Sequence, residues 1–242
     1  MKIVPMLATL AALLLLLESP AHAAGRHPSP VITDDEARPN CSWGLSTGNT
    51  LLADRMPDIP DDKLTDAQKK VAAEFAGARG AERGGAVFGP YVALLRSPEV
   101  LLHMQRLGNY LQFKSVLPPK LRQFIMAITA RQWTQEYMWS VHCPGALKAG
   151  ISPDTMKALA EGRRPAGMPE DEEIVYDFMD ELYRNQSISD KTYATALAKF
   201  GEQGIIDMIG LNGYYTSLSM VLNATRHPLN KGVTPGLPKF PH

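Results

Sequence analysis

The chain has 242 residues, 45% hydrophobic and 21% charged, with 25 basic side chains balancing 25 acidic ones. A chain of this length can bury a core without covalent staples. Zero net charge, with no basic or acidic tail, excludes the electrostatic footprint of a nucleic-acid binder. Its two cysteines are too few for a disulfide-rich scaffold or a four-cysteine zinc site.

From the N-terminus, Lys2 precedes an almost wholly apolar run from Ile3 to Leu17, then Glu18, Ser19, Pro20 and the small-residue triplet Ala21-His22-Ala23. A positive start, an apolar stretch and an A-x-A-like site predict a secretory signal peptide over 1–23, cleaved after Ala23. The run is shorter than the roughly 20 apolar residues of a membrane span. The mature protein is therefore expected to be periplasmic or secreted, with no membrane partner, where disulfides persist. Residues 24–62 are rich in Pro, Asp, Gly and Ser and predict an extended N-terminal arm.

Helical signals occupy 63–226. Thr65-x-x-Gln68 has the form of a capping box, with Val71, Ala72 and Phe75 at helical spacing. A glycine loop over 77–89 lacks the Lys-Ser/Thr of a phosphate-binding loop. Ser97-Pro98-Glu99, Pro118-Pro119 and Ser152-Pro153-Asp154 each read as a helix start, and Gly162 as a stop. Glu172 to Arg184 fits a helix, Ser189 caps another that Gly201 ends, and Gln203 to Leu222 makes the last. No segment alternates like a strand. The prediction is an all-α domain of seven or eight helices, followed by an irregular, proline-bearing tail over 227–242.

The densest chemistry lies in residues 130–142, which hold Arg131, Trp133, Tyr137, Trp139 and His142 in a chain that is 7% aromatic. On one helix, Gln135, Met138 and His142 would share a face, with Arg131 one turn before it. Pro144 predicts a kink or restart at Cys143. His142 reads as a proton-transfer group, since imidazole titrates near neutrality, or as a structural histidine. Arg131 reads as a clamp for a substrate carboxylate or as an interface charge. Trp133, Tyr137 and Trp139 read as packing or as substrate walls, and Met138 as apolar lining. No H-x-x-x-H, C-x-x-C or D-x-D-x-D-G pattern occurs, so neither a metal nor a cofactor is indicated. Cys41 and Cys143 have three readings: a structural bridge pinning the arm to the core, a redox site, or separate thiols.

The same run resembles the core motif of the carboxymuconolactone decarboxylase-like family, which includes the alkylhydroperoxidase D type. Ala130, Arg131, Trp133, Tyr137, Trp139 and His142 carry the resemblance, continued by Ala149-Gly150-Ile151-Ser152, Glu161-Gly162-Arg163-Arg164-Pro165 and Gly210-Leu211-Asn212-Gly213-Tyr214-Tyr215. It implies an AhpD-like helical bundle and a trimeric or hexameric homo-oligomer. Its departures are specific. Met138 stands where the decarboxylase-like branch has Glu. Gln135 and Met138 stand where the peroxidase type has its Cys-x-x-Cys pair. Gln123 stands where that type has a Glu nineteen residues before the histidine. Thiol peroxidase chemistry needs a thiolate that neither Gln135 nor Met138 supplies. Cofactor-free decarboxylation of a small carboxylated lactone needs only proton delivery, which a histidine performs alone. The resemblance thus points to a lyase with His142 and Arg131 as catalytic residues and Trp133, Tyr137, Met138, Trp139, Gln123 and Gln135 around the substrate. A non-catalytic binding protein of the same fold and an antioxidant peroxidase are the alternatives.

Overall fold

A computed structural model of the chain describes residues 41–43, 53–80 and 87–238. The predicted signal peptide and most of the arm lie outside the described residues. Eight α-helices and no strands occur among them: α1 (Asp66–Phe75), α2 (Pro90–Leu94), α3 (Pro98–Phe113), α4 (Pro119–Gln132), α5 (Glu136–Lys148), α6 (Pro153–Ala160), α7 (Glu170–Asn185) and α8 (Asp190–Thr225). No helix among them is long and apolar enough to cross a membrane.

Local signals set most of these boundaries. The Thr65 hydroxyl accepts from the Gln68 amide while the Gln68 side chain accepts from the Thr65 amide, so the predicted capping box forms and satisfies two orphan donors. Ser152 and Ser189 cap α6 and α7's successor α8 through the amides of Thr155 and Thr192. Gly162 adopts φ 72°, a left-handed value that suits the stop after α6. Gly201 sits at φ 68° and ψ 177° inside α8. The predicted break is therefore present, although the helix resumes at once on the far side. One short helix, α2, was not foreseen. Proline opens it, all five of its residues are buried, and such a span is too short to show a period.

The centre of the molecule is α4, buried without interruption from Phe124 to Arg131, as befits a helix packed on several sides. It contacts α5, α6, α7 and α8. Two buried carboxylates fix its approach. Glu172 of α7, 1% exposed, pairs with Lys120 at 3.0 Å. Asp207 of α8, 3% exposed, accepts from Ser115 Oγ at 2.7 Å, the Val116 amide at 3.0 Å and Tyr110 Oη at 3.2 Å, tying down the link between α3 and α4.

Candidate functional site

The aromatic motif does not form one helix. α4 ends at Gln132, Thr134 takes φ 42°, and α5 starts at Glu136 after Gln135 caps it by accepting from the Met138 amide at 2.8 Å. The Gln135 amide itself closes the corner onto the Ala130 carbonyl at 2.8 Å. Arg131 therefore belongs to α4 and His142 to α5, so the single helix expected through Arg131, Gln135, Met138 and His142 is corrected to a two-helix corner in which only Met138 and His142 share α5. The predicted restart at Cys143–Pro144 is absent as well. α5 runs through Pro144, which forfeits one backbone bond. Its flanks are pinned, since Cys143 is bridged to Cys41 and Ala146 is fully buried.

His142 is 6% exposed. Its Nδ1 lies 3.0 Å from Gln123 Oε1, and its ring meets Tyr215 of α8 edge to face, with centroids 4.9 Å apart. Since an amide oxygen only accepts, Nδ1 carries the proton, and the Nε2 lone pair is the basic position. Gly145, one turn further along α5, makes the pairing possible: a Cβ there would stand 2.7 Å from Gln123 Oε1. Tyr215 in turn packs edge-on against Tyr214 at 5.2 Å, whose hydroxyl meets that of Tyr91 at 2.7 Å.

Of the remaining sequence candidates, Met138 is buried one turn before His142 on the same face. The others make the following contacts. Arg131, 2% exposed, donates from Nη1 to the Pro238 carbonyl at 2.6 Å. Burial pulls its guanidinium down to about 10, opposed by the Glu136 carboxylate, so it stays charged at neutral pH. It lies eight residues along α4 from Gln123, a rise of about 12 Å, longer than a single lactone ring. Through its bond to the Pro238 carbonyl, Arg131 anchors the tail. Trp139 Nε1 donates to the Cys41 carbonyl at 3.0 Å. Trp133 Nε1 donates to Thr216 Oγ1 at 3.3 Å. Tyr137 packs edge-on against His227 at 5.2 Å, its hydroxyl against Gly89. Gln135 Nε2 reaches Asn223 Oδ1 at 3.4 Å.

Sequence reasoning missed Tyr215 and Gly145 as partners of the histidine. Tyr215 stood in a quoted run, but nothing local tells which of two adjacent tyrosines turns toward α5. Among the described residues no group of three or more His, Cys, Asp or Glu is placed to hold a metal ion. The bridge reading of the cysteines holds: Cys41 and Cys143 are joined, their Cα atoms 6.2 Å apart.

Residues 98–172 match the sequence model of the carboxymuconolactone decarboxylase family, a stretch from α3 into α7 that includes both Gln123 and His142. No curated protein matches the chain. Among solved structures, a protein of unknown function from Agrobacterium tumefaciens, described as a candidate antioxidant defence protein AhpD, aligns with a TM-score of 0.50 at 16% identity, over 57% of this chain and 94% of that one. The fold is AhpD-like, and the family's segment forms its centre.

Proposed function

We propose that this chain is a carboxymuconolactone decarboxylase-like, cofactor-free lyase acting on a small carboxylated lactone or related acid, with His142 as the proton-transfer residue. The observation that carries this reading is the buried His142–Gln123 pair within the family-matching segment. As the C–CO₂ bond breaks, its electron pair stays on carbon, and an imidazolium at His142 delivers the Nε2 proton to that carbon. Gln123 Oε1 holds the Nδ1 proton throughout, so the ring keeps its orientation in both protonation states. Tyr215 and Met138 supply an apolar surround that keeps the proton from water.

Turnover of a panel of carboxylated lactones tests it. Wild type should release CO₂ from at least one, and His142→Ala should lose about 10²–10⁴-fold in kcat/KM with its fold intact.

A non-catalytic binding protein of the same fold is favoured by one observation: the histidine's partner is a neutral amide, and Met138, where the resembling branch has an acid, is buried at 3% exposure. Absence of turnover with tight binding of a panel member selects that reading. An antioxidant peroxidase activity has less support, because Gln135 is a helix cap and both cysteines are spent on the bridge. Thiol-dependent peroxide consumption tests it. The bridge supports an exported, oxidising location. The outward Ile206, Ile209 and Met220 of α8 and Leu107 and Phe113 of α3 support a homo-oligomer.

A further inference from the structure

The back of α5 is covered by two distant segments of the chain at once. Trp139 and Cys143, one turn apart, face residues 41–43. Cys143 is bridged to Cys41, Trp139 Nε1 donates to the Cys41 carbonyl at 3.0 Å, and the Trp139 ring meets Trp43 edge-on at 6.3 Å.

The tail crosses the same place. The Trp43 amide donates to the Gly236 carbonyl at 3.2 Å. The amides of Gly236 and Leu237 donate to the Glu136 carboxylate at 2.8 and 3.3 Å, and Arg131 holds the Pro238 carbonyl. Leu237 is fully buried. A Cβ at Gly236 would overlap the Cys41 carbonyl oxygen and the Trp139 ring, so arm and tail are in van der Waals register with each other. The two residues differ in burial: Cys143 is fully buried, Cys41 half-buried.

We propose that the Cys41–Cys143 bridge is the thiol-operated catch of a clasp, in which residues 41–43 hold tail residues 236–238 against the helix that carries His142. A dithiol reductant opens it. One of its thiolates attacks Sγ of Cys41, the less buried of the two residues. The Cys41–Cys143 bond breaks, Cys143 leaves as a thiolate and takes up a proton, and a mixed disulfide remains on Cys41. The second thiolate of the reductant attacks its own sulfur in that mixed disulfide, closing the reductant's disulfide. Cys41 is released and protonated. Two electrons and two protons pass from the dithiol to the two cysteines. Opening frees the arm and, through the Trp43–Gly236 contact, loosens the tail, uncovering Trp139 and the pocket of Leu237.

Amide hydrogen exchange on the full chain tests this in three states: bridged, reduced with dithiothreitol, and Cys41→Ser. Reduction should speed exchange at Trp43, Gly236 and Leu237 by 10-fold or more beyond any increase shared by α4 and α7, and reverse on reoxidation. Cys41→Ser should match the reduced state without dithiothreitol. Unchanged exchange at Gly236 and Leu237 after reduction would overturn the proposal, since Glu136 and Arg131 would then hold the tail unaided. An increase at Gly236 and Leu237 no larger than that in α4 and α7 would overturn it too, since the bridge would then act only as a staple of the whole domain.

Discussion

At position 145 a single added methyl would meet the amide that orients His142. The Gln123 side chain is long and can swing aside, so Gly145→Ala is expected to cost little stability and still break the 3.0 Å contact. The His142 ring nitrogens, followed by ¹⁵N NMR, should lose the signature of a fixed Nδ1–H tautomer in this variant, and kcat should fall more than KM rises. Gln123→Glu would place a carboxylate beside the imidazole and raise the pH at which it deprotonates. It restores an acid better than Met138→Glu, which would bury an unpartnered charge at a 3% exposed position. Lys120 offers a stability counterpart. Burial opposes its charge, but Glu172 and Asp171 outweigh that and hold the ammonium above its ordinary range. Lys120→Met strands the buried Glu172 carboxylate and should cost about 3 kcal/mol in urea unfolding, most of it regained in Lys120→Met/Glu172→Met. His142 was legible in the sequence because a long motif ended on it. Its neighbours were not, because the Gln123 and Tyr215 contacts span 19 and 73 positions and no local period encodes them.

Among the elements, those opened by Ser-Pro or by a Thr-x-x-Gln box were readable, since cap chemistry is local. Residues 130–148 were misread for an equally physical reason. The aromatic run keeps helical spacing across Thr134, yet the chain turns there at φ 42°. Pro144 predicts a kink or restart, yet α5 continues through it between a bridged Cys143 and a fully buried Ala146. Gly210 now has a reason: its Cα faces Leu111 of α3, and a Cβ would come within 3.1 Å of that side chain. The start of the tail is pH-sensitive. Burial holds the His227 imidazolium below its ordinary range, with Asp54 and Asp58 pulling the other way. Below about pH 6.5 the unfolded chain gains a proton that the folded protein resists. The stability present above that pH is thus lost as pH falls toward the folded value. Thermal midpoints between pH 7.5 and 5 should decline more steeply in wild type than in His227→Gln.

For the molecule as a whole, the bridge joins positions 102 residues apart. In the chain-entropy account, closing such a loop restricts the unfolded state by roughly 4.7 kcal/mol, less any native strain. The reduced protein should therefore melt markedly lower than the bridged one. The all-α architecture followed from helix start and stop signals and the absence of alternation, and the AhpD-like arrangement from the resemblance. What neither revealed was that arm and tail converge on α5, because their prolines and glycines carry no period and the tail's anchor Arg131 reads as an interface or substrate-facing charge. The proposed reaction is tested most directly in deuterated water with a panel of lactones ¹³C-labelled in the carboxylate. The account predicts ¹³CO₂ release by wild type with one deuterium on the carbon that bore it, and neither with His142→Ala. Release of ¹³CO₂ at equal rates by both proteins, or by neither, would contradict it.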